Sequence, residues 1–246
     1  MIRAAVVGCV IVAFAQWPAS DARSQSIEAA QAAYADGRFT EAAELAARLG
    51  TSEGHALAAK SLSIHAHHVA EGDDRQNLFD NAAALAREAI GLDPRNADAH
   101  LELAHAMGRF AQTLGAMQAM RGGYARRVRD AIQDALALDP DMMAAHLSLA
   151  AWHAEASTRG GFMASALYGA SRARALEHYE RALELAPDEK IVLVEYAYGL
   201  LLLDDENRER ARDLLARAVR IPSEDAHDRI LHSLATARLA ALDTDG

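Results

Sequence analysis

The sequence has little cysteine and little lysine, and the shortage of cysteine restricts its chemistry. Cys9 is the only cysteine in 246 residues, and it lies in an N-terminal apolar segment. If that segment is removed, the mature chain has no thiol, which excludes disulfide frameworks, zinc–thiolate sites and cysteine nucleophiles. Lys60 and Lys190 are the only lysines, so arginine supplies nearly all of the positive charge.

Aromatic residues and basic charge are also scarce. Only 5% of the residues are aromatic, and 35 acidic side chains against 25 basic ones give a net charge of −10. The chain therefore lacks the basic, aromatic surface that nucleic-acid binding needs. Only five prolines are present and alanine is abundant, a composition that favours packed helices over sheets.

The first 22 residues have the three-part plan of a secretory signal peptide. Arg3 supplies a positive charge, residues 4–14 are uncharged, and small residues stand at Ser20 and Ala22. We expect cleavage near Ala22 and a periplasmic mature protein, with no integral membrane segment after the signal is removed. Two alternatives stay open: the segment is retained as an N-terminal anchor, or Cys9 is lipidated.

The rest of the chain contains an internal repeat. Four segments end in Pro94, Pro140, Pro187 and Pro222, spaced 46, 47 and 35 residues apart. Each carries a pair of small or aliphatic residues seven apart, a spacing that places both on one helical face and lets a partner helix approach closely. The pairs are Ala82 and Ala89, Val128 and Ala135, Ala175 and Ala182, and Ala211 and Ala218.

A large–small pair also recurs nine and ten residues after each of the first three prolines, as Leu103-Ala104, Leu149-Ala150 and Tyr196-Ala197. The whole pattern resembles the tetratricopeptide repeat, whose usual unit has 34 residues. The longer spacing here predicts insertions between the two helices of the third and fourth units, at 110–123 and 157–171. The second unit is similarly stretched around residues 71–76.

The long helices, together with residues 159–162 (RGGF) and 166–169 (ALYG), resemble bacterial relatives of the regulator of microtubule dynamics family. A fainter resemblance is to the periplasmic T-component of TRAP transporters. Neither resemblance includes a motif of known chemistry.

The predicted fold is an all-α solenoid of about five tetratricopeptide-like hairpins over residues 23–242, with elongated central helices. The hairpins are expected near 26–49, 52–91, 96–138, 141–186 and 188–220. A capping helix from Ser223 to Leu242 would cover the last apolar face, and residues 243–246 are expected to be a disordered tail.

No enzyme signature appears in the sequence, and no cofactor is expected. There is no Gly-x-Ser-x-Gly motif and no P-loop, and the paired glycines do not follow strands. Eleven histidines allow a metal-dependent function through His65, His68 or His105 as a minor hypothesis. His100 and His146 each follow a repeat proline by six residues, which favours a role in the repeat scaffold.

The tetratricopeptide resemblance implies that the first helix of each hairpin lines a concave groove, which binds a protein or peptide. The candidate partner-binding residues are His55, Leu101, His105, Arg109, Leu147, Trp152, Glu155 and Tyr198. We expect Arg109 and Glu155 to orient the ligand. Leu101 and Leu147 are equally compatible with core positions, and a small-ligand role in solute transport is the alternative function.

Overall fold

A computed structural model describes residues 19–72 and 74–244, with the side chains of 19–26, 116, 161–164 and 205 left out. Within these ranges the secondary structure is entirely helical, with no strand. The helices are α1 (Ala19–Asp36), α2 (Phe39–Ala47), α3 (Ser52–His68), α4 (Asp74–Leu92), α5 (Ala97–Thr113), α6 (Ala116–Arg121), α7 (Tyr124–Leu138), α8 (Met143–Tyr168), α9 (Arg172–Leu185), α10 (Lys190–Leu203), α11 (Arg208–Arg220) and α12 (Ala226–Thr244). A 3₁₀ turn, Asp205–Asn207, precedes α11.

The helices form five hairpins, in which α1 packs on α2, α3 on α4, α5 on α7, α8 on α9 and α10 on α11, and α12 covers the last hairpin. Contacts between α4 and α5, between α7 and α8 and between α8 and α10 join successive hairpins. The predicted solenoid of about five hairpins with a capping helix is therefore confirmed.

Alanines at the predicted seven-residue spacing sit where the second helix of each hairpin meets its neighbours. The paired alanines of α4, α9 and α11 are all completely buried. Because alanine leaves only a methyl group between two helix axes, the backbones approach closely and the larger partner residues fill the remaining space.

The two insertions take different forms. Residues 110–123 complete α5, form the short α6 and turn at Gly123, whose φ of 64° lies in the left-handed region that favours glycine. Residues 157–168 instead continue α8, which reaches 26 residues and stops before Gly169. The second insertion thus lengthens a helix, where the sequence had suggested a segment between helices.

The capping helix begins three residues later than predicted and ends two residues later. Asp225 Oδ1 accepts a hydrogen bond of 2.8 Å from the backbone N–H of Asp228, so Asp225, and not Ser223, caps α12. Ser223 Oγ instead accepts a bond of 2.8 Å from the Lys190 ammonium. The helix runs through Thr244, and the remainder of the predicted tail, 245–246, lies outside the described residues.

The two ends of the array touch each other. Ala226 of α12 is buried against Tyr34, Phe39 and Ala42 of the first hairpin, and the Arg229 guanidinium donates a hydrogen bond of 3.3 Å to the Ala35 carbonyl. The solenoid therefore curves until its last helix closes on its first hairpin, a closure that the repeat pattern did not predict.

The predicted signal peptide falls mostly on residues 1–18, outside the described part of the chain, and α1 begins at Ala19 within its last four residues. The signal and its cleavage near Ala22 stay predictions. Across 19–72 and 74–244, no helix combines the length and apolar character that a membrane crossing requires.

Candidate functional site

The first helices of the third, fourth and fifth hairpins bring a group of polar side chains together. We call this group the interior cluster: its members are Glu102, His105, Arg109 and Gln112 of α5, Ser148 and Glu155 of α8, and Glu195 and Tyr198 of α10. Residues three or four apart on a helix share a face, so α5 presents His105, Arg109 and Gln112 along one stripe. The cluster is a band of polar and charged groups across three hairpins.

His105 joins the third hairpin to the fourth. Its Nε2 lies 2.8 Å from Ser148 Oγ, and its Nδ1 lies 3.2 Å from Glu102 Oε2. Ser148 also donates its hydroxyl proton to the Ala144 carbonyl at 2.8 Å, so the serine links His105 to the preceding turn of α8. Glu102 is only 7% exposed, so its bond to His105 compensates for part of the cost of burying its carboxylate.

Arg109 and Glu155, the two residues expected to orient a ligand, are linked through an amide. The Arg109 guanidinium donates to Gln112 Oε1 at 3.2 Å, and Gln112 Nε2 donates to Glu155 Oε1 at 3.3 Å. Gln112 therefore couples a cation on α5 to a carboxylate on α8, and both charged groups keep further hydrogen-bonding capacity for a ligand.

Glu195 extends the interior cluster onto α10. Burial raises the pKa of its carboxyl and nearby Glu155 adds to the shift, whereas Arg109 and His105 oppose it. One turn later, Tyr198 is 37% exposed, and the Arg238 guanidinium of α12 lies 5.9 Å from its ring centroid. A partner in this region would meet carboxylates, cations and an accessible aromatic ring.

Four of the eight predicted partner-binding residues lie in the interior cluster: His105, Arg109, Glu155 and Tyr198. Leu101 and Leu147 are 2% and 5% exposed and belong to the hydrophobic core. Trp152 is also buried, and its indole N–H donates to the Ala125 carbonyl at 2.8 Å. A partner could reach these three only if the hairpins opened.

His55 faces the second helix of its own hairpin. Its Nδ1 lies 3.7 Å from the Glu88 carboxylate of α4. His100 and His146 occupy the matching place in the next two hairpins, and each places its Nε2 3.0 Å from the carbonyl of the proline six residues earlier. This repetition agrees with the predicted scaffold role of His100 and His146 and puts His55 in the same series.

Sequence reasoning missed four members of the interior cluster, Glu102, Gln112, Ser148 and Glu195, and it also missed Arg238 beside Tyr198. Glu195 had a usable signal, since it interrupts an otherwise apolar run from Ile191 to Leu203 and stands three residues before Tyr198. Ser148 and Gln112 are ordinary surface residues in the sequence, and only the docking of α5 against α8 gives them a role.

The metal hypothesis gains no support from the described residues, since none of their histidine and carboxylate side chains form a group suited to holding a metal ion. His105 is engaged by Glu102 and Ser148. His68 packs instead against two other rings, His67 at 4.3 Å and His227 at 5.8 Å between centroids.

Comparisons with known proteins agree with this architecture. The model of the family "Regulator of microtubule dynamics protein 1-3" matches residues 27–243. A search among curated proteins finds no match, and these results give no support to the TRAP T-component resemblance.

Two solved structures show the same fold. The tetratricopeptide protein TTC0263 of Thermus thermophilus is 18% identical, with a TM-score of 0.63, and the alignment covers 87% of this chain and 99% of that one. PilF of Pseudomonas aeruginosa is 14% identical, with a TM-score of 0.51, and the alignment covers 92% of this chain and 90% of that one. At these identities the likeness shows the fold alone.

Proposed function

The chain belongs to the regulator of microtubule dynamics protein 1-3 family and has the tetratricopeptide-repeat fold, and from this premise we propose that it is a non-catalytic scaffold. In this proposal its concave side binds a protein or peptide segment. The interior cluster is the contact surface, and Tyr198 is its accessible aromatic anchor.

The observation that carries the proposal is the convergence of the interior cluster from three successive hairpins. Repeat arrays bind extended ligands along the surface that their stacked units create. Arg109 and Glu155 offer one charge of each sign across adjacent hairpins, joined by Gln112. Such a pair suits the polar backbone of a bound segment, while Tyr198 supplies the apolar contact area that dominates many interfaces.

The scaffold role is tested by photo-cross-linking in intact cells. A photoreactive residue at position 198 should join one specific protein, and the same residue at position 177 of α9, an exposed site outside the interior cluster, should not. Adding Glu155→Arg should abolish the product at position 198, because it replaces the interior carboxylate with a cation. Equal products from both positions, or a product insensitive to Glu155→Arg, would overturn the proposal.

We further propose that the mature protein works in the periplasm after removal of residues 1–22. The support is the charge, the apolar run and the small residues of that segment. Mass spectrometry of the N-terminal peptide from fractionated cells tests this. A periplasmic protein that begins at or near residue 23 is expected, and an intact Met1 in the cytoplasmic fraction would rule it out.

A further inference from the structure

A cavity of about 290 Å³ lies beside the interior cluster, where the ends of α3 and α5 meet the start of α4. Its wall contains His67 of α3, Arg75, Gln76 and Phe79 of α4, and Arg109 and Thr113 of α5. Two guanidiniums and one imidazole therefore come from three different helices. Among the residues described, no acidic side chain lines the cavity, although the whole chain has a net charge of −10.

The two arginines have no carboxylate partner among the described residues. Arg75 uses its Nε–H to cap the Ala66 carbonyl at 3.0 Å, and Arg109 donates a hydrogen bond to the neutral amide of Gln112. Both guanidiniums are half-buried and keep N–H groups for another acceptor. Glu195 lies within electrostatic reach of Arg109, but it belongs to the interior cluster and does not line the cavity.

His67 supplies a second, independent observation. Its Nδ1 is buried and makes no hydrogen bond within the described residues. A buried polar atom without a partner costs free energy and calls for a ligand or a bound water. Burial, followed by the nearby charges of Arg109, His68 and Arg75, lowers the pKa of His67 to about 3, so the cavity is already electropositive without a charge on this ring.

We propose that this cavity is a binding site for a small phosphate monoester. Two guanidiniums and an imidazole ring line this one cavity, and a phosphate monoester offers three terminal oxygens to such donors, whereas a carboxylate offers only two in one plane. The cavity exceeds the size of the phosphate group and is close to the smaller ligand pockets of proteins, which leaves room for a short organic substituent.

The cavity shares Arg109 and Gln112 with the interior cluster, but the two proposals can fail separately. Arg75 and His67 lie outside the interior cluster, and the scaffold test uses Tyr198 and Glu155. The phosphate could belong to a free metabolite or to a lipid headgroup, and the two sources share the same chemistry at the cavity.

Isothermal titration calorimetry with glycerol phosphate and with inorganic phosphate tests the site. Chloride at the same ionic strength is the control anion. Vesicles of phosphatidylcholine with and without phosphatidic acid form a separate arm. Arg109→Gln and Arg75→Gln should each weaken glycerol phosphate binding by about tenfold or more, since each removes a charged donor. Arg87→Gln, an exposed arginine of α4 away from the cavity, should leave it unchanged.

Because Arg75 also caps α3, His67→Leu provides a second variant that leaves both arginines in place, and thermal melting without ligand checks that each variant is folded. Saturable binding of glycerol phosphate that is lost in the cavity variants supports the site. Binding to phosphatidic acid vesicles alone, lost in the same cavity variants, would support a phosphate site whose ligand is a lipid headgroup. No binding of any phosphate, or equal loss in Arg87→Gln, would overturn it.

Discussion

At the scale of single residues, one glycine decides how the last two hairpins meet. Tyr179 of α9 and Tyr196 of α10 stack in the core with ring centroids 4.8 Å apart, and both are at most 1% exposed. A Cβ atom at Gly199 would lie 2.3 Å from the Tyr179 ring. The tyrosine pair can therefore pack only because α10 has no side chain at that position.

Gly199→Ala should lower the free energy of unfolding by about 1–3 kcal/mol, the usual cost of overpacking a core. Gly91→Ala in α4 is the matched control, because no atom lies within 4 Å of its Cβ position. Alanine there should be neutral or stabilise by up to about 1 kcal/mol through helix propensity. Urea denaturation measures both variants, and equal stability of the two would refute the packing argument.

The two lysines occupy opposite environments. Lys190 is 1% exposed, and its ammonium donates to the Pro222 carbonyl at 3.1 Å, to Ser223 Oγ at 2.8 Å and to Asp228 Oδ2 at 3.3 Å. Lys60 is exposed and lies 5.3 Å from the centroid of the Tyr34 ring. The composition marked lysine as rare, but it gave no indication that one of the two would fasten the capping helix.

At the scale of elements, the Lys190 contacts hold α12 against the start of α10. Lys190→Met removes the cation and leaves Asp228 without it, so we expect a loss of about 2–4 kcal/mol in the free energy of unfolding. Lys60→Met should change stability by less than about 0.5 kcal/mol, as exposed charges do. Guanidinium melts compare the two variants, and a Lys190→Met protein as stable as Lys60→Met would contradict this role.

The helix pairs could be predicted from the sequence because each rests on a local signal. Proline after a run of small residues ends a helix and starts the next, so α4, α7, α9 and α11 ended where expected. The length of α8 and the short α6 had no such signal. Whether an insertion becomes a loop or more helix depends on packing, as when Arg129 of α7 donates to the Tyr168 carbonyl at 3.1 Å.

The site was only half predictable for a similar reason. A repeat position identifies the helix face, and that was enough to find His105, Arg109 and Tyr198. Small differences in how neighbouring helices dock decide whether a leucine on that face is exposed in the groove or covered by neighbouring residues. Leu101 and Leu147 are covered, and no pattern within one chain separates them from groove residues.

At the scale of the whole molecule, histidines gather where the array closes. Burial lowers the pKa of His68 to about 4 and that of His67 to about 3, and it also lowers the pKa of His227. In the unfolded chain these rings bind protons near pH 6.5. Acidification from pH 7 toward pH 4 therefore protonates the unfolded chain first and destabilises the folded protein.

His68→Gln should reduce this loss, because the variant removes one of the protons that the unfolded state gains. Below pH 6.5, the free energy of unfolding of His68→Gln should rise relative to that of the wild type by up to about 1.4 kcal/mol per pH unit. The raised pKa of Glu195 has the opposite effect on stability, because the folded protein then binds the proton more readily than the unfolded chain. Both proteins contain Glu195, so this effect cancels when they are compared at the same pH. Parallel stability profiles from pH 7 to pH 5 would show that His68 does not contribute.

Closure of the solenoid sets the curvature of the array that carries the interior cluster, so it is the structural claim most central to this account. Repeat length alone does not fix superhelical curvature, so the sequence could not predict it. The most direct test is the distance between spin labels at exposed positions 36 and 233. Pulsed electron paramagnetic resonance measures this distance in a Cys9→Ser background. One narrow, short distance is predicted, because α12 packs on the first hairpin; a long or broad distribution would show an open array and contradict the account.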